Sequence, residues 1–518
     1  MKTIIKNIQT IAAALLLTAT ASSCSDLLDQ RPQGGWTMDD VEGGAYSSEV
    51  LAIYSDIRSY NITAGIPAFL IHMVRSEDSN KGTTATDGPE NEAMWDNFQY
   101  DASNGPMKAY WTHNYSIIHK TNTIIDKLKA EPALDPVQQS LYGECCMFRA
   151  YCYFNLVRAF GQVPLIDFHI NSADEANRPK SDEAAIYKLI DNDLTLAEQS
   201  LPMSWEKRYT GRMTSGAAYA LHARTYMQRN QWASMLASAQ MVINSKQYDL
   251  KTPFNKIFRE EGENSSESVW ELQCTATKAL PSSNEIGSQF CEVQGVRGSG
   301  DNNLGWGWHM ADAEVLNAFE KGDPRKDETL LYYTRPTETW DQIVTQFGAP
   351  ADGNAPYNEK LAGNDCIGRF FNKKAYCSKP LRLSYGSKSG HWFNIRLIRY
   401  SDVILMAAEA SCELGGAENI KQAKVYLEEV RSRARGTAAV LPAVTTDDQE
   451  TLRQAIRRER RAELALEPDR FYDLVRWDIA KTVLKPKGYQ ARNKYLPLPQ
   501  AEIDASGGKL VQNPDYAN

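Results

Sequence analysis

Apolar side chains recur at i, i+3, i+4 and i+7 through most of residues 101–243, and again through residues 396–483. That spacing lays one apolar stripe along a helix and cannot serve a strand, where alternation is required. A chain with two such long tracts is committed to a body in which helices are the majority. Within residues 143–160 the stripe is Phe148, Tyr151, Cys152, Leu156 and Ala159; Gly161 and Pro164 then supply the usual stop. Residues 212–248 read as a helical pair: Ala217, Ala218, Leu221, Ala223 and Tyr226, a break at Asn230-Gln231-Trp232, then Leu236, Ala239 and Ile243. Small residues facing an aromatic across a short turn let two helices approach closely, as in a tetratricopeptide hairpin. A similar pair is expected over residues 401–414 and 420–433.

The 518 residues are 42% hydrophobic and 24% charged, with a net charge of −8. These values fit a folded, water-facing body and offer no Lys/Arg-dense surface for nucleic acid. Nine cysteines without a CxxC and seven scattered histidines give no ligand spacing, so neither a metal nor a cofactor is expected. Cys145, Cys146 and Cys152 read as small buried hydrophobes.

Lys2 and Lys6 precede an apolar stretch over residues 11–21, too short to cross about 30 Å of hydrocarbon. The segment ends Ala21-Ser22-Ser23-Cys24 and resembles a bacterial lipoprotein signal. Residues 1–23 are therefore expected to be removed and Cys24 to carry the acyl chains that anchor the protein in outer-membrane lipid. The short acidic run that follows, with Asp26 and Asp29, resembles a surface-export signal.

The rest of the chain, residues 24–518, is expected to form one unit with three stretches: about 24–250, a loop-rich stretch of about 251–394, and a helical stretch of about 395–518. In the middle stretch Gly, Asn, Pro and Ser become frequent, and Trp306, Trp308, Trp340 and Trp392 stand in polar surroundings. Loops held on a rigid frame are where binding usually lives. Residues 75–105 are a second such zone, with Trp95, Phe98 and Tyr100 among acidic and amide side chains.

Glu459 and Glu463 lie one helical turn apart in an arginine-dense tract, an unfavourable like-charge pair unless arginines from elsewhere neutralise it. Arg399, Arg431 and Arg433 are candidates. A glycosidase would need two carboxylates about 5 to 9.5 Å apart across an open cleft. Leu452, Ile456, Leu464 and Leu466 instead mark a packed helix, so an ion-pair network is expected and no catalytic residue is assigned.

Five segments carry a whole-length resemblance: GECCMFRAYCYFNLVRAFGQVPL at 143–165, GWGWHMADAEVLNAFEKGDPR at 305–325, NIRLIRYSDVILMAAEA at 394–410, AIRRERRAELALEPDRFYDLVRWD at 455–478 and LPLP at 496–499. Each is similar to a segment of the SusD/RagB family of surface lipoproteins. The resemblance implies a mainly α fold in which tetratricopeptide-like hairpins support a loop-rich, ligand-binding half. It also implies a SusC-like TonB-dependent outer-membrane transporter as partner, for which the protein acts as lid. The implied cargo is an oligosaccharide or polysaccharide; a peptide, as in the RagB branch, is the alternative, and a surface glycoside hydrolase a more remote one. A sugar site needs flat rings with polar side chains at their edges. On that chemistry the candidate ligand-binding residues are Asp78, Trp95, Asp96, Asn97, Trp308 and Trp340, although Trp308 stands in a family motif where packing is the ordinary role.

Overall fold

A computed structural model describes residues 44–82, 94–354, 357–362 and 368–516; Cys24 and the signal segment lie outside them. The fold is mainly α. The principal helices are α1 (Gly44–Arg58), α2 (Ile66–His72), α3 (Gly105–Ala130), α4 (Pro136–Phe160), α5 (Glu183–Ser200), α6 (Ser215–Gln228), α7 (Trp232–Asn244), α8 (Tyr400–Leu414), α9 (Ala417–Arg435), α10 (Gln449–Leu464) and α11 (Arg470–Arg476). Among the described residues no helix is long and apolar enough to cross a membrane.

The two expected hairpins are α6/α7 and α8/α9, and they pack on each other through α7 and α8. The chain of packed neighbours continues from α3 to α4, α4 to α5 and α5 to α6, so one helical frame with one main core runs through both helical tracts.

Helix α4 departs from the amphipathic stripe. It starts earlier, where Asp135 and Gln138 form a capping box and Pro136 takes the first turn. From Gly143 to Phe160 it is buried on nearly every side, because α1, α3, α5 and α6 all pack on it. Cys145, Cys146 and Cys152 are wholly buried there, and burial pushes their thiols up. Gly161 closes the helix at φ +73°, a conformation costly for any residue with a Cβ.

Residues 251–394 hold short strands as well as loops. β1 (Ser79–Asn80), β3 (Met310–Ala311), β4 (Leu330–Thr334), β5 (Leu361–Ala362) and β6 (Phe370–Asn372) form one sheet in the order β1-β3-β6-β4-β5, antiparallel except for β4 with β5. β2 (Ser268–Leu272) pairs with β7 (Ile395–Arg399), Ser268 opposite Arg399. Strand β4 is buried on both faces: Leu330 and Tyr332 enter a core with Val315, Trp340 and Phe370, while Leu331 and Tyr333 enter another with Val296 and Phe371. A strand buried on both faces has no alternation to read, which explains why the sequence looked like loop here.

Helix α10 ties the sheet to the frame through buried charge. Glu459 accepts from Arg325 at 2.5 Å and Arg431 at 2.7 Å, and Glu463 accepts from Arg433 at 2.6 Å, Arg399 at 2.9 Å and Arg325 at 3.1 Å. Arg399 and Arg433 also hold Glu267, and Arg399 and Lys374 hold Glu467. Burial of Glu463 works to raise its carboxyl, but Arg433, Arg399 and Arg325 outweigh it and hold the group far below the usual carboxylate range.

Candidate functional site

A π-helical turn, Tyr60–Ala64, leads through Gly65 into α2, and its first side chain is the start of a cleft. A Cβ on Gly65 would fall 2.2 Å from Tyr60 Cδ2 and 2.4 Å from the Tyr60 carbonyl oxygen. Only glycine lets Tyr60 lie this close to the turn. Across the cleft, β1 pairs with β3 through Asn80 and Met310, and the pairing runs on as the His309 N–H donates to the Lys81 carbonyl at 3.0 Å. This zipper brings Trp308 beside Lys81, whose Nζ lies 4.5 Å from the indole centre, a cation–π arrangement. Gly82 makes that approach possible: its φ is +76°, and a Cβ there would stand 1.9 Å from the Gly307 carbonyl oxygen.

The resulting cleft has a volume of about 510 Å³ and is lined by Tyr60, Asn61, Lys81, Trp95, Asn104 and Trp308 together with apolar residues of α2 and the first turn of α3. Tyr60 and Trp308 are half-buried, whereas Trp95 is only 2% exposed and packs on Tyr100 with ring centres 5.0 Å apart. Behind the cleft, Phe69, Met73 and Val293 form a small core against which Tyr60, Phe290, Trp306 and Trp308 pack. Asn61 Nδ2 meets His113 Nε2 at 2.9 Å, and Asn104 caps α3 by accepting from the Met107 N–H. Burial raises the Tyr60 phenol, so it stays protonated and can donate or accept.

The half-buried rings of Tyr60 and Trp308, aliphatic side chains and the Asn61 amide form the accessible surface of the cleft, suited to a ligand with weakly apolar faces and a hydroxyl rim, while Lys81, Trp95 and Asn104 line it as buried supports. Among the described residues lining the cleft there is no Asp or Glu. The carboxylate pair that glycoside hydrolysis needs is therefore absent from them.

The six candidates of the sequence reading are not all brought together. Trp95 and Trp308 line the cleft. Asp96 stands behind it, accepting from the Lys81 N–H at 2.7 Å and so fixing the residue that covers Trp308. Asp78 is 2% exposed and accepts from Arg461 Nε at 3.1 Å, binding β1 to α10. Asn97 is exposed and its carbonyl faces Gly488. Trp340 belongs to the core beneath β4, its indole N–H donating to the Pro350 carbonyl at 2.8 Å. Both Asp78 and Trp340 satisfy their polar groups inside the protein. Tyr60, Asn61, Lys81 and Asn104 were not singled out from sequence. Asn104-Gly105-Pro106 carried a helix-start signal; nothing local marked the others.

Family models match two stretches: one described as the SusD family over residues 266–516, and one described as starch-binding, associating with the outer membrane, over residues 57–227. A SusD-like protein of Formosa agariphila is 28% identical over 463 residues, 86% of this chain and 87% of the relative. A SusD-like protein of Bacteroides ovatus is 25% identical over 494 residues, 90% of this chain and 81% of the relative. Among solved structures, a laminarin-binding SusD-like protein superposes with a TM-score of 0.73 at 25% identity, covering 91% of this chain and 99% of that one. With the helical frame, the loop-rich sheet half and these matches together, the chain belongs to the SusD family.

Proposed function

We propose that this protein binds glycan at the bacterial surface, in the cleft between Tyr60, Trp95 and Trp308, and chemically alters none of it. The observation that carries the reading is the convergence of those three rings with Asn61, Lys81 and Asn104 on one open cleft. The match to a starch-binding, outer-membrane-associating family and the likeness to a laminarin-binding protein support the same ligand class. Sugar rings stack their C–H faces on aromatic side chains, and each rim hydrogen bond nets only about 0.5 to 1.5 kcal/mol. Modest affinity suits a protein that must release what it captures. In this reading Cys24 carries the lipid anchor, and the captured glycan passes to a SusC-like TonB-dependent transporter over which the protein acts as lid.

The test is affinity electrophoresis and titration calorimetry against a polysaccharide panel that includes laminarin and starch. Retardation by at least one glycan is expected, weakened about tenfold, or about 1.4 kcal/mol, by Trp308→Ala with an unchanged circular dichroism spectrum. Binding of peptides with no glycan response would overturn the reading in favour of peptide cargo, and release of shortened sugars by the pure protein would overturn it in favour of hydrolysis.

A further inference from the structure

Cys291 and Cys377 are far apart in the chain and adjacent in space. Both are buried, at 4% and 5% exposure, in a small core with Ala276, Trp392 and Phe393. Their sulfurs converge on Gly390, where a Cβ would stand 2.5 Å from Cys377 Sγ and 3.5 Å from Cys291 Sγ. The two sulfurs can therefore be no farther apart than the sum of those distances, and both cysteines are free thiols in this structure. Gly390, at φ +66°, leaves the space in which they meet. Cys291 sits on the short helix Phe290–Gln294, and its neighbours Phe290 and Val293 belong to the small core that backs the cleft residues Tyr60 and Trp308. Cys377 begins the segment that continues through the exposed helix Lys379–Tyr385 to Trp392.

We propose that Cys291 and Cys377 form a disulfide in the exported protein and so staple the core behind the cleft to the residue 376–393 segment. The proposal rests on the surface location argued above, because disulfides persist outside the reducing cytoplasm. The reaction is exchange with a small-molecule or enzyme disulfide R–S–S–R. One cysteine thiolate attacks it, giving a mixed disulfide and one R–S⁻; the second cysteine thiolate displaces the other R–S⁻. The two cysteines are oxidised, R–S–S–R is reduced to two R–SH, and the two cysteine protons end on those thiols. Burial pushes the Cys291 thiol up, which leaves little thiolate and slows the exchange once the core has closed, so the bond is expected to form during folding, before that burial.

The full-length protein is unfolded in urea and refolded in a mixture of oxidised and reduced glutathione. It is then alkylated in denaturant and mapped by peptide mass spectrometry. A Cys291–Cys377 linked peptide is expected, while Cys145, Cys146, Cys152 and Cys412 remain alkylated. The oxidised form is expected to melt several degrees above the reduced one, and Cys377→Ser removes that difference. Amide exchange over residues 290–308 should slow several-fold on oxidation. Full alkylation of Cys291 and Cys377 after refolding, or a link from Cys291 to Cys274 instead, overturns the bond; unchanged exchange over residues 290–308 overturns the staple. None of these readouts depends on glycan, so failure here is separable from failure of the binding reading.

Discussion

Helix α10 and the cleft are both dense in polar and aromatic groups, yet they use them in opposite ways. On α10, Glu459 and Glu463 are almost wholly buried and their oxygens are filled by arginines from three other segments. In the cleft, Tyr60 and Trp308 are half-buried and face open volume. Desolvated charge must be matched inside the molecule, which makes α10 a junction between frame and sheet. A half-wet aromatic surface leaves part of its contact capacity for something else. Substitutions at the first site should therefore register as lost stability and at the second as lost binding.

The largest expected effect of a single substitution is at Glu463. Replacing it by Ala leaves Arg325, Arg399 and Arg433 each short of an acceptor, and removing one partner of a buried charge cluster costs about 3 to 5 kcal/mol. Urea denaturation measures this; a loss below about 1 kcal/mol would erase the contrast between the two regions. Acid comes next. His309, beside Trp308, and His72, beside Tyr110, are buried and held down to about 3, chiefly by desolvation. Below pH 6.5 the unfolded chain binds protons that the native chain refuses until about pH 3, so stability is full above 6.5 and falls as pH drops through that window. The slope is about 1.4 kcal/mol per pH unit for each histidine. His309→Asn should remove one share of it, as read by thermal melts between pH 7 and 4.

That contrast also governs what the sequence disclosed. The α6/α7 and α8/α9 hairpins follow from periodicity, because a helix needs only its own residues to declare its face. Arg399, Arg431 and Arg433 could be named as neutralising partners because uncompensated Glu459 and Glu463 demand them. Arg325 escaped notice since it stands on a five-residue helix, Arg325–Thr329, with no local tie to α10. Trp95 and Trp308 were noticeable as rings among polar residues. Tyr60, Asn61 and Lys81 were not, because the cleft is assembled from four separate segments and depends on the close backbone contact at Gly82 and Gly307. That contact is a tertiary fact, legible only once β1 is seen beside β3.

Gly82 offers an intermediate effect that touches both regions. An Ala there would bring its Cβ against the Gly307 carbonyl oxygen and occupy a positive φ, so β1 and the Trp308 turn must separate. The expected loss is about 1 to 3 kcal/mol in urea denaturation, together with weaker glycan retardation because Lys81 and Trp308 move. A variant that loses stability and keeps full glycan affinity would show that the cleft does not depend on this zipper.

The smallest effect should fall on the cleft rim. Asn61 is half-buried, reaches His113 on the outer side of α3, and lines the cleft without holding any core group. Asn61→Ala removes one rim hydrogen bond, worth about 0.5 to 1.5 kcal/mol, so affinity should fall between about twofold and tenfold with the melting temperature unmoved. The paired measurement matters more than either alone. If the melt shifts while titration calorimetry shows no change in affinity, the amide is holding α3 in place, and the polar edge of the glycan site must be sought at the Tyr60 hydroxyl, which lines the same cleft and is half-buried.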